Sequence, residues 1–209
     1  MYVDGTVKQY VDDAASSKPA PGGGSVSALA GALGASMGSM VCNFTVGKDK
    51  FKDAEPRVKE ILEVCEESRL ALLSLMDKDV EEYKKVTVSY GLPKETEVQK
   101  VTRKEAIQEA LKSALQIPLA AFRECLNVLE QLKDLAHIGN PNLISDVGVS
   151  AILCAAGLAG AKLNVDINLS FIKDEELVRS VRNEVENGAH LAKTIEAEVL
   201  AVVREKMGR

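Results

Sequence analysis

An all-α bundle of long antiparallel helices is the fold the sequence predicts, on three observations. Apolar residues recur at three- and four-residue intervals over long stretches, the pattern of a helix with one buried face. Two stretches, residues 25–47 and 147–161, carry no charge and are rich in small residues, as helices buried on all sides are. Only Val165–Leu169 alternates in the manner of a strand, too little for a sheet. With 209 residues and 46% apolar content, the chain reads as one domain, residues 1–209, with ample material for a core.

Val3, Val7, Tyr10, Val11 and Ala14 open the chain as a short amphipathic helix, followed by a turn through Gly24. The uncharged stretch begins at Ser25, a residue suited to capping a helix start. Pro56 suits a first helical turn, and Val58, Ile61, Leu62, Cys65, Leu72, Met76, Val80, Tyr83 and Val86 then keep one apolar face to about Tyr90. Thr102 to Glu105 has capping-box spacing, so a second long helix is expected there, kinked at Pro118 and stopped by Gly139. Ser145 or Asp146 suits the cap of the helix over 147–161, and Asp174 restarts the chain as a final amphipathic helix reaching Val202. Gly34 and Gly38 offer a flat surface for a close helix contact, and a two-fold dimer is the economical closure for faces too large to bury in one copy.

Pro19-Ala20-Pro21-Gly22-Gly23-Gly24-Ser25 stands apart from this helix grammar. Consecutive glycines let successive N–H groups point into one concavity beside a helix N-terminus, so Gly22, Gly23, Gly24 and Ser25 read as a preformed anion- or ligand-facing turn. The alternatives are a flexible linker for the turn and a membrane span for the helix behind it. The second is disfavoured by the many Gly, Ser and Ala residues, by Asn43 and by the lack of aromatic ends. A net charge of −5 with mixed signs gives no nucleic-acid footprint or polybasic membrane patch. Cys42, Cys65, Cys125 and Cys154 lie apart in apolar helical contexts, as reduced cytoplasmic thiols do, and no metal-ligand spacing appears. The amino terminus has no signal-peptide pattern. His137 is expected to stabilise a helix end, and His190 and the Glu81-Glu82 pair to face solvent or serve structure.

The second unusual connection, Gly139-Asn140-Pro141-Asn142-Leu143-Ile144-Ser145-Asp146, crowds two amides, a serine and a carboxylate into one turn. Taken with PAPGGGS, the Gly47-Lys48 pair, Leu92-Pro93-Lys94 and Ala106-Ile107-Gln108, it resembles the formiminotransferase-cyclodeaminase family in its cyclodeaminase domain, from about Val7 to Ile172. The resemblance implies a dimeric helical bundle with a folate site in a cleft shared with the partner chain, and no cofactor beyond the tetrahydrofolate substrate. The implied reaction is conversion of 5-formiminotetrahydrofolate to 5,10-methenyltetrahydrofolate with release of ammonia, in the context of histidine-type one-carbon salvage. Hydrolysis of methenyltetrahydrofolate to the formyl product is the alternative, and a non-catalytic folate- or anion-binding dimer the second.

Ring closure moves protons and develops a delocalised cation, and a carboxylate suits both needs. On this reading Asp146 is the candidate base or counter-ion, with a helix cap as its plainer role. Lys48 would meet a glutamate tail or supply a proton. Asn140, Asn142 and Ser145 would bind the amide-like edge of the pterin or simply form the turn, Lys94 of Leu92-Pro93-Lys94 is a further substrate-binding candidate, and Lys50 and Lys52 would enlarge the positive field for the tail, single or polyglutamylated.

Overall fold

A computed structural model describes residues 1–208 and contains six α-helices and three short 3-10 turns, with no strand among the described residues. After a 3-10 turn at Tyr2–Asp4, α1 runs Val7–Ala14, capped by the Thr6 side chain on Gln9 N–H. Then follow α2 (Gly23–Asn43), α3 (Glu55–Tyr90), α4 (Glu97–Ile138), α5 (Ile144–Leu169) and α6 (Glu175–Met207). Helix α2 packs between α3 and α5, α4 lies against the same two helices, and α6 covers α4 and α5. The core between them is aliphatic, with Leu115, Leu129, Leu132 and Ile195 fully buried around Phe122.

Helices α2 and α5 run antiparallel in very close contact, which explains their small residues. A Cβ on Gly34 would come within 2.9 Å of Cys154 N and 3.0 Å of Ser150 O, and one on Gly157 within 2.9 Å of Gly31 N. Ser150 Oγ reaches across to donate to Gly34 O at 2.7 Å. The flat Gly34/Gly38 surface is therefore consumed inside one chain, against α5 and Cys65, and does not form a dimer seam. Both helices are long and apolar enough to cross a membrane, but 61% of the α2 window is buried within the molecule against 44% for α5. What stays open is apolar: Val26 and Leu33 on α2, and Val149, Ile152 and Leu163 on α5.

Four boundaries differ from the sequence reading. The start of α4 is Thr96, whose side chain accepts Gln99 N–H while Gln99 returns a bond to Thr96 N–H; this capping box precedes the Thr102–Glu105 pattern and leaves the latter mid-helix. Residues 165–169 continue α5, because Val165 and Leu169 are buried one helical turn apart and Lys162 pairs with Asp166 across another. That helix begins at Ile144 with no side-chain cap, so neither Ser145 nor Asp146 caps it. Nor does Ser25 cap α2: it lies inside the helix, fully buried, and Gly22 holds the cap position. Pro56 and Asp174 stand where expected, and Asp174 accepts Leu177 N–H.

Candidate active site

The Gly-rich turn opens onto a cleft of about 510 Å³ enclosed by Pro19 to Gly24, the second half of α3, the middle of α4 and the C-terminal turns of α5. Its wall on α3 carries Asp79, Glu82, Tyr83, Val86 and Tyr90; Leu111 and Ala114 come from α4; Asn164, Ile167, Asn168 and Phe171 face them from α5 and its end. The apolar stripe of α3 thus divides. Leu72 and Met76 enter the core, whereas Val80, Tyr83 and Val86 line an open cavity.

Asp79 lines this cleft at the head of α2. The first turn of α2 has no N-cap side chain, and the carboxylate of Asp79 takes that place by accepting Ser25 N–H at 3.0 Å. Gly24 is what admits it: a Cβ there would overlap both Asp79 carboxylate oxygens. The Asp79 side chain therefore fills part of the space that the glycines leave at the head of α2. Ser25 Oγ shares a buried hydrogen bond of 2.9 Å with the Tyr10 hydroxyl, so α1 braces the same turn. Tyr2 stacks edge-on against Tyr10 at 5.2 Å and donates its hydroxyl to Ala20 O at 3.2 Å. Buried Asp77, one residue removed from Asp79, accepts Tyr2 N–H at 2.7 Å and fixes this brace to α3.

Two carboxylates in one cleft are pushed in opposite directions. Burial pushes the Asp79 carboxyl above the ordinary aspartate value, and the Ser25 N–H only partly opposes it. At Glu82, burial acts upward too, but hydrogen bonds from Lys85 and from Ser113 Oγ at 2.8 Å outweigh it and hold the group below the ordinary glutamate value. The two environments thus separate the pKa values of neighbouring carboxyl groups. Glu82 was expected on a solvated face; its side chain is only 12% exposed and belongs to the cleft. Sequence reasoning missed Asp79 as well, since Asp77-Lys78-Asp79 on an amphipathic helix looks like exposed charge.

The remaining candidates lie elsewhere. Lys48 is exposed and opens the 3-10 turn Asp49–Phe51, just past the far end of α2. Asn140 is joined to that end: its N–H donates to Thr45 Oγ1 at 3.0 Å, its Nδ2 to Phe44 O at 3.2 Å, and its Oδ1 accepts Asn142 N–H at 3.1 Å. Asn142 and Ser145 are exposed and Asp146 is half-buried in the first turn of α5. Lys48, Asn140, Asn142, Ser145 and Asp146 are thus gathered at one end of the bundle. Gly22, Gly23, Gly24 and Asp79 are gathered at the other, and the 21 residues of α2 set the two ends about 30 Å apart. Lys94 is exposed in the α3–α4 connection, four positions past the cleft residue Tyr90. His137 is exposed, and the carbonyls at its helix end are taken by Lys206 Nζ rather than by an imidazole.

Comparison with known proteins bears on this arrangement. Residues 6–187 match the family model described as formiminotransferase-cyclodeaminase. A methenyltetrahydrofolate cyclohydrolase of Methylorubrum extorquens is 39% identical over 97% of this chain and 97% of its own length. The formimidoyltransferase-cyclodeaminase of Mus musculus is 31% identical over 95% of this chain, which spans 37% of that longer protein. The crystal structure of formiminotetrahydrofolate cyclodeaminase from Thermotoga maritima superimposes with a TM-score of 0.85 at 34% identity, covering 96% of both chains. Its sequence along nearly its whole length and its fold alike place the chain in the formiminotransferase-cyclodeaminase family.

Proposed function

We propose that the protein is an enzyme of folate one-carbon chemistry, a formiminotetrahydrofolate cyclodeaminase working in the cleft beside the Gly-rich turn. The observation that carries this reading is Asp79, a carboxyl held up by burial at the head of α2 in a cavity of ligand size. In the reaction a bond forms from N10 to the formimino carbon and the bond from that carbon to the imino nitrogen breaks. The departing nitrogen needs two protons to leave as ammonia, while N10 surrenders only one. One proton must therefore come from an acid, and a carboxyl whose pKa burial raises is better suited to give it than an ordinary aspartate. Glu82, the anion of the pair, faces the amidinium charge that develops on the product.

A second reading, hydrolysis of the methenyl bridge, is favoured by the full-length resemblance to the Methylorubrum extorquens cyclohydrolase. There Asp79 would accept a proton from water instead. Supplying purified protein with each folate in turn separates the two: growth of the methenyl absorbance from the formimino substrate, with ammonia, is the expected result. Decay of the methenyl compound alone would replace the first reading by the second, and no acceleration of either would end both.

The protein is further proposed to act as a two-fold dimer through the open sides of α2 and α5. Leu33 and Ile152 are each 49% exposed and Leu163 is 71% exposed, where α2 carries no charge and α5 none between Asp146 and Lys162. A second copy is the occupant that suits it. Antiparallel pairing across these helices carries the Asp146 end of one copy toward the Asp79 end of the other, uniting the two sets of candidates that one chain keeps apart. Lys48 and Lys94 then serve as landing points for a glutamate tail, in single or polyglutamylated form.

A further inference from the structure

The geometry points to Asn164 and Asn168 as the residues that recognise the pterin ring, an assignment that rests on the folate reading of the same cleft. They sit one helical turn apart on α5 and face the cavity opposite α3. Asn164 Nδ2 donates to Gly160 O at 2.9 Å, and Asn168 Nδ2 donates to Asn164 O at 2.8 Å. These bonds fix the orientation of both amides, since turning either over would set its oxygen against a carbonyl oxygen. Each Oδ1 is left without a donor among the described residues. Gly23 at the head of α2 keeps Asn164 in register with Asp79, its Cβ position being 3.5 Å from Asn164 Nδ2.

The consequence is that α5 presents two acceptor oxygens to the cleft, across from the carboxyl groups of Asp79 and Glu82 on α3. No lysine or arginine lines the cavity, and its donors are the Tyr83 and Tyr90 hydroxyls and the N–H groups of the Gly-rich turn at the head of α2. A ring that is rich in N–H groups and becomes cationic is well matched, and a tetrahydropterin presents its 2-amino group and ring N–H groups along one edge. The aromatic side chains of Tyr83, Tyr90 and Phe171 supply the apolar surface for its faces. This places pterin recognition on α5 rather than on Asn140 and Asn142, which spend their polar groups closing the opposite end of the bundle.

Calorimetric titration of wild type with tetrahydrofolate and with its 2-desamino-2-methyl analogue tests the assignment. Wild type is expected to prefer the 2-amino compound by about tenfold or more, because a site built to bond an N–H rejects a ligand lacking it. Asn164→Ala and Asn168→Ala are expected to weaken tetrahydrofolate about tenfold and leave the analogue unchanged, raising KM more than they lower kcat. A loss confined to the 2-amino compound is what a mere loss of helix packing would not produce. Equal weakening of both ligands, or full affinity in the alanine variants, overturns this assignment and leaves the folate reading intact. Failure of wild type to bind either compound overturns both together.

Discussion

Gly24 has no side chain because Asp79 occupies the space where one would stand. Gly24→Ala is accordingly expected to displace the carboxylate and abolish turnover, with a fall in thermal midpoint. Asp79→Asn keeps an acceptor for Ser25 N–H but cannot give a proton, so kcat should drop about 10²- to 10⁴-fold while the midpoint hardly moves. An unchanged rate in that variant would remove Asp79 from the chemistry. The pH dependence has a definite sign. Because the folded pKa of Asp79 is raised, the unfolded chain releases this proton first as pH rises above the ordinary aspartate range. Asp79 then takes stability away until its folded pKa is passed, and kcat should fall as pH rises through that folded pKa and the acid form is lost. Both slopes should vanish in Asp79→Asn, read by thermal denaturation and by steady-state rates. None of this was legible in sequence, because burial of Asp79 depends on the head of α2, 54 positions distant along the chain. The glycines themselves were legible as an anion- or ligand-facing turn, but not the carboxyl of α3 that packs against them.

At the scale of elements, the close packing of α2 against α3, α4 and α5 sets glycine against sulfur. Gly31, Gly34 and Gly38 lie against Cys125, Cys154 and Cys65 respectively, and all four cysteines are free and buried. Burial pushes the thiols of Cys42, Cys65 and Cys125 up to about 12 and that of Cys154 well above the ordinary value. Native protein is therefore expected to react with none of its cysteines toward an aromatic disulfide reagent at neutral pH, and with all four after denaturation. Gly34→Ala meets backbone rather than a movable side chain, so it should cost about 1–3 kcal/mol in denaturant unfolding. The two uncharged helices were plain from composition, as was their burial. Which face of α2 would meet α5 was not, since a helix without charge has no polar side to orient it. The length of α5 was hidden for a related reason: residues 165–169 alternate, yet Val165 and Leu169 face the core while Ile167 faces the cleft.

For the whole molecule, the open sides of α2 and α5 carry the proposed dimer. Leu163→Glu, at a position 71% exposed in one copy, should leave the fold intact and shift sedimentation to the monomer. Activity is expected to fall with it. A charged residue at that position with no effect on assembly would move the interface elsewhere. Antiparallel bundle topology and the polar turns at its ends were evident from periodicity and from the Gly, Pro and Asn residues of the turns, because those signals are local. The pairing of ends was not, because adjacency in the sequence of motifs says nothing of the length of helix between them. That length has a genetic consequence. With Asp79 at one end and Asp146 at the other, a site shared across antiparallel copies draws each carboxylate from a different polypeptide. Asp79→Asn and Asp146→Asn proteins, each inactive alone, would then complement on mixing: a hybrid places both lesions in one site and leaves the other whole, restoring about a quarter of wild-type activity after random exchange.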